Sequence, residues 1–174
     1  MTIGIFAGSL DPVTEGHTWV IQQACTLVDK LFIAIGVNPD KTPYFSAAER
    51  KHLLTEVLRS RLSANDFAKV EVVFIERWEL LVHYARKVGA SHLFRGIRNV
   101  KDFEYEKGMA AINSKFEPSI SSVFLMTPAK YAEVSSSLVK GLVGFEQWEA
   151  AVQDWVHPVV ISAFKARVNV SRDA

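Results

Sequence analysis

Strand-like and helix-like segments alternate along the first 126 of 174 residues, and that order predicts an α/β fold. The expected architecture is a Rossmann-like open five-stranded parallel sheet with helices on both faces and a helical C-terminal part. Two further observations support it. The strand candidates are short apolar runs without strict alternation, as strands covered on both faces require. Polar or cationic turns follow four of them, and an open parallel sheet gathers such turns at its carboxyl edge.

The first strand is IGIFA at 3–7, followed by the loop GSLDPVTEGH at 8–17. Thr14 is placed to cap the next helix, on which Val20, Ala24, Leu27 and Val28 share one face. LFIAIGV at 31–37 is the second strand. Ser46, with Glu49 three residues on, forms a capping box for a helix over 47–62. VEVVFI at 70–75 is the third strand, and a helix over 78–90 closes at Gly89. HLFR at 92–95 and SVFLM at 122–126 are the last strands, with a helix over about 102–115 between them. Beyond 126, SSSLVKGLVG, FEQWEAAVQDWV and HPVVISAFKARV read as helical, and NVSRDA is expected to fray. No repeat, low-complexity tract or linker is evident. One domain over 1–174 is expected, with its helical segment starting at about 135.

Composition narrows the function. With 20 basic and 19 acidic residues, the chain lacks the basic excess of a nucleic-acid binder. A small anionic ligand needs only a few local cations. Cys25 is the single cysteine, so no intrachain disulfide forms, and it reads as a small buried hydrophobe. The N-terminus shows no signal-peptide pattern, and 31–37 is too short to span a bilayer. A soluble cytoplasmic protein without membrane partners is expected.

Each turn has a chemical reading and a bland one. In GSLDPVTEGH, Gly8 would turn the chain, Pro12 would stiffen it, and Gly16 would leave the helix start open. The free amides there form an anion site, with His17 in the first turn. The bland alternative is a surface histidine in a loop. Lys41, in PDKTP, suits a phosphate, or is a solvated loop lysine. Arg95 finishes an apolar strand, where it needs an anion or a carboxylate. Arg98 could meet the same anion, or pair with Asp102 one helical turn on. Three serines at 135–137 exceed what one N-cap needs, and Lys140 at the end of that turn could also donate to phosphate. No zinc spacing, Walker A loop, G-x-G-x-x-G or G-x-S-x-G motif occurs. His52, His83, His92 and His157 lie scattered. Trp148 and Trp155, seven apart, could share a helix face and serve the core or a subunit contact.

Taken together, TEGH at 14–17, NPDKTPYFSAAER at 38–50, RGIRNVKDFEYE at 95–106 and VSSSLVK at 134–140 resemble one family. It is the bacterial phosphopantetheine adenylyltransferases, of the H/T-x-G-H nucleotidyltransferase superfamily. The resemblance implies AMP transfer from ATP to 4′-phosphopantetheine, giving dephospho-CoA and pyrophosphate. It also implies Mg²⁺, a cytoplasmic homohexamer, and coenzyme A as a feedback ligand. On this basis His17, Lys41 and Arg98 would be catalytic. Ser9, Lys41, Leu81 and Arg95 would hold the pantetheine substrate. ATP would meet Ser9, Leu10, His17, Gly96, Ile97, Arg98, Glu106, Tyr131, Ala132, Glu133, Val134, Ser135, Ser136 and Ser137. Ser9 stands where the family usually has threonine, Leu10 where it has phenylalanine, and Tyr131 where some members have tryptophan. The segment beyond Lys140 matches the family poorly. Two rivals remain: another nucleotidyltransferase of the superfamily with a different phosphorylated acceptor, and a non-catalytic nucleotide-binding relative. RGIR and SSSLVK favour phosphopantetheine over the first, and the retained histidine and cations argue against the second.

Overall fold

The computed structural model describes residues 1–37, 42–76 and 79–172. Five strands form one parallel sheet in the order β3-β2-β1-β4-β5: β1 (Ile3–Gly8), β2 (Lys30–Val37), β3 (Val70–Glu76), β4 (His92–Ile97) and β5 (Ser121–Met126). Strand order reverses between β1 and β4, so the crevice where parallel sheets bind ligands opens between their carboxyl ends.

The unbroken apolar runs now have their reason. Along β2, Leu31, Ile33 and Ile35 enter one core, while Phe32 and Ala34 enter a second on the opposite face. The larger core lies under α1 (Glu15–Leu27), α2 (Ala47–Arg61) and the C-terminal helices α6 (Ser136–Leu142), α7 (Trp148–Val152) and α8 (Pro158–Arg172). The smaller core lies under α4 (Leu81–Lys87). A short α3 (Ala64–Lys69) and a 3₁₀ turn at Ala129–Tyr131, both unforeseen in the sequence, complete the chain with α5 (Val100–Phe116).

Local signals set most boundaries. Ser46 and Glu49 cap α2 reciprocally, as their spacing requires. Gly89, at φ 71°, ends α4 in a Schellman motif, with Ala90 N–H on the Ala85 carbonyl at 2.8 Å. Other expectations shift. Helix α4 starts at Leu81, and Trp78 lies outside the described residues. Strand β4 runs on past Arg95 to Ile97. Leu27 is exposed, while Val28, extended beyond the end of α1, is buried. Trp148 opens α7 while Trp155 lies beyond its end, so the two share no helix face. In the first loop Leu10, at φ 48°, makes the turn assigned to Gly8, whose φ is not positive.

Candidate active site

The carboxyl ends of β1 and β4, the start of α1 and the start of α6 enclose an open cleft of about 320 Å³. Ser9, His17, Arg95, Gly96, Arg98, Glu106 and the stretch 134–137 line it, so three of the four expected turns converge there. Lys41, from the fourth, lies outside the described residues.

His17 is held by local geometry. Thr14 caps α1, and its backbone N–H donates to His17 Nδ1 at 3.1 Å. An amide can only donate, so Nδ1 is the acceptor and Nε2 carries the ring proton. Burial, reinforced by the positive charge of Arg98, pushes His17 down to about 4. The ring is therefore a neutral donor at pH 7. Against 6.5 in the unfolded chain, the unfolded state binds the extra proton between pH 4 and 6.5. Stability accordingly rises with pH across that window, is complete above it, and falls by about 3 kcal/mol toward pH 4. A His17→Gln variant is expected to lose this component, which urea midpoints measured from pH 7 to 4.5 will show as a shallower slope.

Both arginines have partners. Arg95 donates to Glu106 through Nε and Nη2, each at 2.6 Å, and to the Ala7 carbonyl through Nη1 at 2.9 Å. Arg98 forks onto Asp102 at 2.8 and 3.1 Å and reaches the Val134 carbonyl at 3.1 Å. The pairing with Asp102 and the place in the cleft therefore hold together. Each guanidinium uses three of its five donors on these bonds, so two remain for an anion. Glu106 faces the cleft as the partner of Arg95.

The three serines divide their work. Ser135 caps α6 by accepting from Leu138 N–H at 3.1 Å, Ser136 Oγ donates to the Pro12 carbonyl at 2.7 Å, and Ser137 is exposed at the rim. Lys140 turns away from the cleft to Asp11, at 2.9 Å, because that buried carboxylate needs a cation. Asp11 also accepts from Tyr44 and Phe45 N–H at 2.9 and 2.8 Å. Burial alone would raise its pKa. The bonds from Lys140, Phe45 and Tyr44 outweigh burial and hold it below the usual aspartate value.

Several expected contacts lie elsewhere. Leu10 and Ile97 are 1% and 0% exposed, so their side chains serve the core, and the Ile97 carbonyl is taken by Thr127 N–H. Leu81 packs on the smaller core at the far face of the sheet. Tyr131 sits over Gly16, and neither it, Ala132 nor the exposed Glu133 lines the cleft. Conversely, Thr14, Asp102 and Thr127 line it without having been assigned to a ligand. Arg50, 4% exposed, donates to the carbonyls of Ser9 and Gly36 at 2.6 and 3.0 Å, tying together the ends of β1 and β2. Its place in AAER shows nothing of this, because the partners are backbone atoms distant in sequence. Gly96 is legible only in three dimensions: a Cβ there would meet Val20 Cγ2 at 2.8 Å, so the glycine lets α1 lie close on β4.

The family model for cytidylyltransferase-like domains matches residues 5–142. The phosphopantetheine adenylyltransferase of Chromobacterium violaceum is 46% identical over 156 residues, covering 90% of this chain and 91% of its own. That of Alkaliphilus metalliredigens is 36% identical over 167 residues, covering 96% and 99%. The chain belongs to the phosphopantetheine adenylyltransferase family. The fold agrees. Plasmodium falciparum nicotinic acid mononucleotide adenylyltransferase, solved with NaAD, superposes with a TM-score of 0.70 at 18% identity, covering 97% of this chain and 96% of that one. The segment GSLDPVTEGH of this family member thus borders the cleft with Gly8, Ser9, Thr14, Gly16 and His17.

Proposed function

We propose that the chain transfers the adenylyl group of ATP to 4′-phosphopantetheine, forming dephospho-CoA and releasing pyrophosphate. The carrying observation is the cleft at the β1–β4 switch point, where a neutral histidine donor and two arginines with donors to spare face one hollow. The named relatives supply the acceptor. The nucleophile is a phosphate oxygen, already anionic, so no general base is needed. It attacks the α-phosphorus of ATP, one P–O bond forms, and the bond to the departing pyrophosphate breaks. What remains is to bring two polyanions together and hold the developing charge. His17 Nε2–H would donate to an α-phosphate oxygen, Arg98 would serve ATP, and Arg95 with Lys41 would serve the acceptor phosphate. Ser9 would reach both substrates.

Mg²⁺ would enter with ATP. Among the described residues no three His, Cys, Asp or Glu side chains cluster as a metal site, and Asp102 and Glu106 are bound to arginines. The donor set therefore fits an ion coordinated mainly by phosphates and water, where it would offset phosphate charge. A cytoplasmic homohexamer with coenzyme A as feedback ligand completes the reading. No helix among the described residues is long and apolar enough to cross a membrane. Helix α5 buries none of its residues and exposes Val100, Tyr105, Ile112 and Phe116, an apolar surface suited to a neighbouring subunit.

The test is pyrophosphate release with ATP and phosphopantetheine, beside nicotinate mononucleotide and glycerol phosphate as acceptors, with and without EDTA. Sedimentation velocity reads the subunit number. Turnover with another acceptor alone would replace phosphopantetheine in this proposal. A second expectation concerns Gly16. A Cβ there meets nothing closer than 3.7 Å, so the fold tolerates alanine. The glycine leaves room for the triphosphate at the start of α1, so Gly16→Ala is expected to keep wild-type stability while raising the KM for ATP about tenfold.

A further inference from the structure

The cytidylyltransferase-like domain model ends at residue 142, although the Alkaliphilus metalliredigens relative covers 96% of the chain, and no residue beyond 142 was expected to touch substrate. Yet α8 packs on the 44–46 segment, which Asp11 ties to the loop before α1. Phe164, fully buried, packs against Tyr44 and Phe45 at ring-centroid distances of 4.8 and 4.9 Å. Three residues on, the Arg167 guanidinium covers the same two rings at 5.4 and 5.0 Å. Its Nη1 donates to the Tyr44 carbonyl, and its Nη2 meets both Glu49 oxygens at 2.7 Å. Glu49 also accepts from Ser46 N–H at 2.8 Å. The turn 44–46 is thus gripped by α8 on one side. On the other, Asp11 takes the amides of Tyr44 and Phe45. Asp11 lies between Ser9 and Thr14, in the loop that leads into the first turn of α1 with His17, and it also binds Lys140 of the helix that carries the serines.

Arg167 and Glu49 are 41% and 46% exposed, so their ion pair adds little to global stability. Its consequence is local. We propose that Arg167 is a positioning residue: from the C-terminal helix it locks the 44–46 turn onto Asp11, and so sets where the Ser9–His17 loop stands in the cleft. Catalytic geometry then depends on a helix beyond the cytidylyltransferase-like domain of residues 5–142.

The activity part of the test rests on the adenylyl-transfer reading, and the exchange part does not. In Arg167→Met, hydrogen exchange at the Tyr44 and Phe45 amides is expected to quicken about tenfold, with the strands of the sheet unchanged. The kcat/KM for pyrophosphate release is expected to fall about tenfold in enzyme that remains folded. Arg167→Lys, which keeps the charge without the fork, should recover part of both. Glu49→Gln keeps an acceptor for Ser46 and removes the charge, so it should move both in the same direction, and it carries the test if the Met variant does not fold. Unchanged exchange, or faster exchange with kcat/KM within twofold of wild type, overturns the proposal. If the wild type releases no pyrophosphate from ATP and phosphopantetheine, the proposed function falls separately, and ATP affinity replaces kcat/KM as the second measure for Arg167.

Discussion

His17→Ala is expected to lower kcat by about 10²–10³, the usual cost of removing one preorganised donor to a charged transition state. The ring is neutral, its tautomer is fixed by the Thr14 amide, and it stands in the cleft shared with Arg98. Alanine removes the Nε2–H donor and leaves both arginines anchored to their carboxylates. Ground-state binding should therefore change little, and the loss should appear in kcat rather than KM. The Thr14 amide loses its acceptor, a capping loss of about 1 kcal/mol, which leaves the protein folded. Steady-state pyrophosphate release with circular dichroism on the same sample checks both halves. Turnover within a factor of three of wild type would remove His17 from the mechanism.

Asp11→Ala is expected to give the largest stability loss, about 3 kcal/mol. One buried carboxylate satisfies Lys140 and the amides of Tyr44 and Phe45. Alanine strands all three. Lys140 is 30% exposed and can turn to water, which limits the cost, whereas the Phe45 amide is buried and cannot. Asp11→Asn keeps an oxygen for one amide and should lose about half as much. Because the carboxylate joins the first loop to α6, activity should fall in both variants even where they are fully folded. Urea unfolding followed by turnover at 25 °C separates the two effects, and a wild-type midpoint for the alanine variant would contradict this account.

The two predictions differ in how visible their residues were. His17 could be read from TEGH, because a capped helix start after an apolar strand places its first turn at the carboxyl edge of a sheet. Arg95 and Arg98 could be read for a related reason: cations at the end of an apolar strand need a counter-charge. Lys140 was less legible. Beside three serines it looked like a phosphate donor, but its partner lies 129 residues away, and no local pattern records that. Leu10 and Ile97 were matched to nucleotide contacts by their place in motifs, while their burial depends on what packs over them.

Periodicity, capping residues and the order of elements were local properties, and they determined the parallel sheet, most helix ends and the set of turns available for chemistry. Such properties act over a few residues, where backbone sterics and side-chain spacing decide the outcome. Only the tertiary structure decided which charges neutralise one another, that Asp11 and Arg50 are buried, and that α8 braces the turn behind the cleft. Those facts depend on distances between segments far apart in the chain, and the solvation of a charge is set by everything that surrounds it.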